Sequence, residues 1–156
     1  MIVRRLMVVS VCLVVGAFGC GPNKQPPKAE PPRSGVVHVS AIIDHKDTLV
    51  LQGNQLWFKH RYGTAPADVT VNGKPADLGY TASGAEAVDS KKITFSPAMP
   101  TDRPFRIEAT GAPDAEGQLV VVEEPTAANN YTTVLMLYDP REGARKWDLT
   151  IKFDAQ

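Results

Sequence analysis

The sequence predicts an all-β protein: an antiparallel β-sandwich of about nine strands, occupying residues 36–156 as a single domain. Short runs rich in β-branched and aromatic residues alternate apolar with polar positions, which is typical of half-buried strands. Turns rich in Gly, Pro and Asn separate these runs at intervals of roughly 8–15 residues. No window predicts a helix beyond one turn at 85–92. An immunoglobulin-like and a jelly-roll arrangement both fit, because a single sequence does not show which strands pair.

The first strands are predicted on either side of short polar breaks. Residues 36–43 and 48–52 are β-branched and alternate roughly between apolar and polar positions. The dipeptide Asn72-Gly73 is a strong hairpin signal, because both residues tolerate positive φ. Pro75 lacks an amide hydrogen and therefore restricts the strand after this turn to a short or edge position.

The later part of the domain contains further predicted strands and one long polar segment. Residues 78–89 are small and polar and are expected to form a loop. The run 117–123 is nearly continuous in apolar residues and is expected to be buried on both faces. Further strands are predicted at 55–62, 69–75, 93–95, 105–109, 131–138 and 147–153. The expected core comprises Val39, Leu49, Leu51, Phe58, Phe95, Ile107, Val121, Leu135, Leu137, Trp147, Leu149 and Ile151.

The N-terminus is predicted to be a secretion signal. Arg4 and Arg5 precede the mostly apolar stretch 6–18. This stretch is shorter than the roughly 20 residues needed to span a bilayer, and it fits the apolar region of a signal peptide at 1–19.

The residues that follow resemble a bacterial lipobox. In Ala17-Phe18-Gly19-Cys20 a small residue precedes the cysteine, although Ala17 stands where Leu is usual. The resemblance implies a bacterial lipoprotein whose Cys20 carries palmitate or similar acyl chains. Ordinary signal-peptidase cleavage is the alternative, because Ala17 and Gly19 also satisfy the small-x-small pattern. Cys20 is followed by Gly21 rather than by Asp. By similarity to Gram-negative lipoproteins, this favours the outer membrane.

Residues 20–35 are predicted to be a disordered tether between Cys20 and the domain. Five prolines and no large apolar residue leave too little apolar surface to offset the cost of ordering. The domain at 36–156 contains 12 basic and 16 acidic residues. This acidic balance argues against nucleic acid as a partner, since nucleic-acid binding requires clustered Lys and Arg.

Three stretches of the domain resemble uncharacterised bacterial secreted β-sandwich modules. Residues 43–60, IDHKDTLVLQGNQLWFKH, resemble the pattern I-D-G-x-x-x-L-x-x-x-G-x-x-x-W-x-x-H, with His45 where Gly is usual. Residues 121–131 are similar to a turn of the form Pro-Ser/Thr-Ala-x-Asn-x-Tyr. Residues 143–147 are similar to a closing strand of the form Gly-Ala-x-x-Trp. The resemblance implies a secreted β fold and no particular activity.

The candidate ligand-binding residues are Trp57, His60 and Tyr62. An aromatic platform with adjacent polar groups suits a glycan or an envelope protein. Alternatively, these residues pack the sandwich and pair across strands. A period of two places Trp57 on the face opposite His60 and Tyr62, so a single platform requires a bulge.

No metal site is expected. Asp44 and Asp47 flank a predicted turn, and two carboxylates are too few for calcium, which takes six to eight oxygens. An Asx-turn explains them. The histidines His38, His45 and His60 show none of the usual metal-ligand spacings, and no other cofactor is expected.

No catalytic motif is present either. The chain lacks a G-x-S-x-G elbow, and Glu123 and Glu124 are adjacent, so they point to opposite faces of a strand. The expected function is therefore a non-catalytic binding module, held at the cell envelope by a lipid anchor, with a glycan or envelope protein as partner. A structural or assembly component of the envelope is the alternative, and a small hydrolase is a third. The outer membrane or cell surface is the favoured location, against a soluble secreted or periplasmic protein.

Overall fold

Two antiparallel sheets pack face to face, which confirms the all-β sandwich. The computed structural model describes residues 21, 34–44, 46–60, 65–76, 80–83, 86–89 and 92–156. These residues form twelve strands: β1 (Ser34–Ile43), β2 (Asp47–Gln52), β3 (Gln55–His60), β4 (Ala67–Val71), β5 (Lys74–Pro75), β6 (Tyr80–Ser83), β7 (Glu86–Asp89), β8 (Ile93–Thr94), β9 (Phe105–Thr110), β10 (Gln118–Glu123), β11 (Thr133–Tyr138) and β12 (Arg145–Ala155). A 3-10 turn at Ala127–Asn129 precedes β11.

The five-stranded sheet has the order β5-β4-β1-β12-β9. Its longest ladder joins the first and last strands, from Ser34 opposite Asp154 to Ile43 opposite Arg145. The two ends of the folded domain are therefore hydrogen-bonded neighbours. The immunoglobulin order places the first and last strands in different sheets, so this topology departs from it.

The seven-stranded sheet has the order β10-β11-β2-β3-β7-β6, and the short β8 also pairs with β3. A tight turn at Gly53 and Asn54 joins β2 to β3, with Gly53 at a φ of 57°. Strand β8 pairs with the start of β3, where Gln55 faces Thr94. Strand β7 pairs with its other end. Both β7 and β8 therefore lie along the same side of β3.

The core lies between the sheets and is built from alternate residues of their strands. In β1, Val37, Val39, Ala41 and Ile43 are buried, as a period of two requires. Eleven of the twelve expected core residues are buried. The exception is Val121, which is only partly buried and packs against the margin of the core.

Several sequence predictions fail at the sheet margins. Part of the expected loop at 78–89 forms the hairpin β6–β7, and the expected helical turn at 85–92 contains strand β7. Strand β10 is exposed along much of its length and lies at the edge of a sheet, so the expectation of burial on both faces is wrong. The strand count rises from nine to twelve because short pieces pair with longer strands through their backbones. Backbone pairing requires little of the side chains, so weak sequence patterns miss such strands.

Strand β1 begins at Ser34, two residues before the predicted start of the domain at residue 36. The predicted signal peptide, Cys20 and nearly all of the predicted tether lie outside the described residues. In the part of the chain that the structure describes, no helix is long and apolar enough to cross a membrane.

Candidate functional site

The described residues of the predicted aromatic cluster lie on opposite faces of strand β3. Leu56, Phe58 and His60 are buried on its inner face, whereas Trp57 lies on the outer face and is half-buried. Tyr62 lies outside the described residues. Trp57 and His60 therefore belong to opposite faces of the sheet, and they do not share one platform.

His60 occupies a buried polar position at the end of β3. Only 7% of the residue is exposed, and it stands directly opposite Asp47, which is buried at the start of β2. Burial lowers the pKa of the His60 imidazole below its ordinary value, because desolvation disfavours the charged form. Asp47 was expected in an Asx-turn with Asp44, but it begins a strand instead.

Trp57 marks the outer surface of the seven-stranded sheet. The Nζ atom of Lys92 lies 4.4 Å from the centroid of the Trp57 ring, within the range of a cation–π contact. Val50 faces Trp57 across the β2–β3 ladder and is 3% exposed, although it lies on the outer face. The indole therefore covers apolar surface and positions a lysine at the same time.

Beside this lysine, a groove runs along the margin of the sandwich, between hairpin β4–β5 of one sheet and β8 of the other. It consists of two adjoining depressions of about 370 and 360 Å³, which share Val71, Lys74 and Thr94. Each volume falls within the size range of small-molecule sites. The other described lining residues are Asn54, Asn72, Pro75, Ala76, Lys92, Ile93, Phe95 and Ser96.

Asn72 holds one wall of the groove in place. Asn72 and Gly73 have φ angles of 49° and 75°, which confirms the predicted hairpin turn. The Asn72 side chain accepts a hydrogen bond from the His38 amide at 2.8 Å and donates one to the Ser96 carbonyl at 2.9 Å. One amide group thus links the hairpin, β1 and the segment that follows β8.

The opposite wall is fastened to the β2–β3 turn. The Phe95 amide donates to the Asn54 carbonyl, and the Met99 amide donates to the Gly53 carbonyl, both at 2.8 Å. Phe95 and Met99 are buried. These contacts hold the segment after β8 against the sandwich and keep the groove open beside hairpin β4–β5.

The groove combines an apolar floor with a cationic rim. Val71 and Phe95 are buried and Ile93 is partly buried, whereas Lys74 and Lys92 are exposed. Among the described residues, no acidic side chain lines the groove or forms an ion pair with either lysine. This rim stands out because the domain carries more acidic than basic residues. Its charge favours an anionic ligand.

A polar cluster lies on the outer face of the five-stranded sheet and contains a serine, a histidine and an aspartate. The Ser40 hydroxyl donates to the Asp148 carboxylate at 2.7 Å, and Thr150 Oγ1 lies 3.3 Å from His38 Nδ1. The hydrogen bond from Ser40 lowers the pKa of Asp148. Since the serine hydroxyl is directed to a carboxylate rather than to an imidazole, this pairing is not the activated-serine arrangement of a hydrolase.

An ion-pair network fastens the loops on either side of β10 and β11. Arg141 Nη2 donates to Asp139 Oδ2 at 2.6 Å, and Arg141 Nη1 donates to Asp114 Oδ2 at 2.8 Å. Arg145 Nε lies 3.2 Å from the same Asp139 oxygen. The hydrogen bonds from Arg141 hold the pKa of the Asp139 carboxyl far below its ordinary value. Because the carboxylates of Asp114 and Asp139 are both paired with arginine, the network connects these loops structurally.

The two histidines that the structure describes, His38 and His60, lie in different sheets and do not form a pair of metal ligands. His38 lies exposed on β1, His60 is buried in β3, and His45 lies outside the described residues. No group of three or more His, Cys, Asp or Glu side chains within the described ranges could hold a metal ion.

Sequence reasoning missed the groove. Asn72 was identified only as a turn residue, and Asn54, Lys74 and Lys92 were not identified as site residues. Lys74 begins β5 in one sheet and Lys92 directly precedes β8 in the other, so no local spacing connects them. The position of Lys74 directly after an Asn-Gly turn was the one available signal, since it places that lysine at a sheet edge.

Comparison of the chain with protein-family models, with curated proteins and with solved structures finds no match.

Proposed function

We propose that this protein is a lipid-anchored component of the bacterial cell envelope, whose β-sandwich binds a polymer or protein partner without catalysis. The observation that carries the binding proposal is the groove with an apolar floor and two exposed lysines on a domain of acidic balance. Clefts of this kind, with a few convergent polar groups, are the usual form of a binding site.

Binding is tested with the mature chain and isolated envelope material. We expect the double variant Lys74→Glu/Lys92→Glu to sediment with this material about tenfold less than the wild type. Reversing two partly screened charges changes binding by roughly that factor. The matched control is Lys46→Glu/Lys152→Glu, which changes the same net charge at exposed positions outside the groove. Equal retention of both double variants would remove the groove from the proposal.

The anchor is proposed from the lipobox-like tetrapeptide that ends at Cys20. Two or three acyl chains on one residue suffice for stable membrane attachment. Intact-mass measurement of detergent-extracted protein should show a chain that begins at Cys20 and carries acyl groups, and Cys20→Ala should abolish the acyl mass. A free Cys20 thiol on a soluble product would refute the anchor.

An assembly role is the second candidate, and strand β10 favours it. Among the described strands, β10 pairs only with β11 and forms a sheet edge. Val120 and Val122 are 41% and 49% exposed on this strand. Exposed apolar edge strands can pair with another chain.

The assembly role is tested by light scattering of the soluble mature domain over a range of concentrations. Self-association should be weakened by Val120→Lys and unaffected by Val36→Lys, because Val36 is 39% exposed on the central strand β1. A monomer at the highest soluble concentration would exclude self-pairing through this edge.

A further inference from the structure

We infer that the groove between hairpin β4–β5 and strand β8 binds an anionic glycan, a saccharide chain that carries negatively charged groups along its length. This inference rests on the proposed binding function and specifies the ligand class of the same site. It is carried by charge, by the apolar floor, by the lysine–tryptophan contact and by the sheet edges that border the groove.

Charge selects an anion. Lys74 and Lys92 both line the same depression of about 360 Å³, and neither forms an ion pair with a described carboxylate. Two ammonium groups at one cleft, without a carboxylate partner among the described residues, create a local positive potential in a domain of acidic balance. A lysine ammonium is a compact charge with rotatable donors, so it suits a carboxylate or a phosphate equally well.

The floor selects a ligand with apolar faces. Val71, Ile93 and Ala76 contribute aliphatic surface to the depression that Lys74 and Lys92 also line. Sugar rings carry C–H groups on their faces and hydroxyls around their edges, so they can contact an aliphatic floor and a polar rim together. Asn54 and Thr94 supply amide and hydroxyl groups in the adjoining depression.

The contact between Lys92 and Trp57 positions one of the two charges. Lys92 Nζ lies 4.4 Å from the indole centroid, and Trp57 is itself half-buried against Val50. A lysine that is already ordered loses less side-chain entropy when it binds a ligand, which favours affinity. Trp57 thus contributes to the site by orienting the lysine.

The sheet edges disfavour an extended peptide as the ligand. Peptides that add to a sheet need a run of free backbone donors and acceptors on the edge strand. Strand β5 has only two residues, and one of them is Pro75, which has no amide hydrogen. Strand β8 also has two residues. Recognition in this groove must therefore rely on side chains, which suits a charged saccharide.

The groove extends over two adjoining depressions of about 370 and 360 Å³, which share Val71, Lys74 and Thr94. Asn72 and Ser96 also line the first depression, and Lys92 also lines the second. A chain that occupied both depressions would contact Lys74 and Lys92.

Isothermal titration of the mature chain is the test. The probes are an oligogalacturonate, an uncharged maltooligosaccharide of the same length, and an oligoglutamate of the same charge. We expect oligogalacturonate to bind, with Kd rising about threefold in Lys74→Glu and in Lys92→Glu, about tenfold in the double variant, and rising with salt. Lys74→Arg should retain binding. Lys152→Glu is the charge-matched control and should change Kd less than twofold. Thermal unfolding of each variant verifies that it is folded.

Three results would overturn the inference. The first is the absence of oligogalacturonate binding at about 1 mM by a folded wild-type chain. The second is equal binding of the uncharged saccharide, and the third is equal or tighter binding of oligoglutamate. If the wild type still bound envelope material and Lys74→Glu did not, the proposed binding function would stand and only the assignment of an anionic glycan as ligand would be rejected. Loss of binding to every ligand and to the envelope material would reject both.

Discussion

Replacing Thr133 by Val should make the domain more stable. Thr133 is fully buried at the start of β11, on the same inward face as Leu135 and Leu137 and opposite Leu51 on β2. Its Oγ1 atom has no hydrogen-bond partner among the described residues. Valine has nearly the same shape and replaces this hydroxyl with a methyl group.

The size of the effect follows from the hydroxyl and the methyl separately. A buried polar group without a partner costs about 1–3 kcal/mol, and an additional buried methyl contributes about 0.8 kcal/mol. Relaxation of the site reduces the sum, so we expect a gain of about 1–3 kcal/mol in the free energy of unfolding. For a domain of this size, each kcal/mol raises Tm by roughly 4 °C.

The assay is urea unfolding at pH 7, together with a thermal melt, for the wild type and two variants at this position. Thr133→Ser retains the hydroxyl and removes the methyl, so it should lose about 1 kcal/mol. The order Val above Thr above Ser is the expected result. A Val variant that is equal to or less stable than the wild type would show that the hydroxyl has a partner in solution, and the reasoning would be wrong.

Three further predictions concern the backbone and the pH dependence of stability. Gly111→Ala should cost at least about 2 kcal/mol in urea unfolding, because Gly111 has a φ of 123° and a Cβ atom there would overlap the backbone of Asp148. Because the pKa of His60 is lowered in the folded state, the imidazole of the unfolded chain is protonated first as the pH falls. The free energy of unfolding should therefore decrease as the pH drops below about 6.5. His60→Gln should make this decrease smaller. Arg141 lowers the pKa of the Asp139 carboxyl below its ordinary value of 3.8. The ionised carboxylate therefore stabilises the folded state fully above that pH, and this stabilisation is lost in more acidic solution. Asp139→Asn should reduce stability at pH 7 and make the decline of stability below pH 4 shallower. Urea unfolding midpoints measured as a function of pH check both predictions. A pH dependence in either variant that equals that of the wild type would contradict the corresponding prediction.

The predictability of the fold differs between the centre and the margins of the sandwich. Leu49, Leu51 and Phe58 were expected in the core because strict alternation leaves one face of each strand apolar, and they are buried. Strand β10 contains an equally apolar run, yet it lies at an edge with Val120 exposed. Apolar content alone does not distinguish a central strand from an edge strand, because the difference lies in which neighbours pair with it.

The candidate site shows the same limit. Trp57 was identified from its residue type, and the prediction that it faces away from His60 is confirmed. Lys92 was not predicted as a site residue, because no motif near it in the chain indicates a site. Its significance comes from the indole that it contacts and from Lys74, which belongs to the other sheet.

The sequence by itself determined the local properties of this protein: the all-β class, the inner and outer faces of the main strands, and the turn at Asn72 and Gly73. Each of these depends on side-chain period or on backbone φ preferences, which act over a few residues. Only the tertiary structure decided that the first strand pairs with the last and that two sheet margins enclose a cationic groove. Both features depend on contacts between residues far apart in the chain, such as Ser34 with Asp154, which no local pattern specifies.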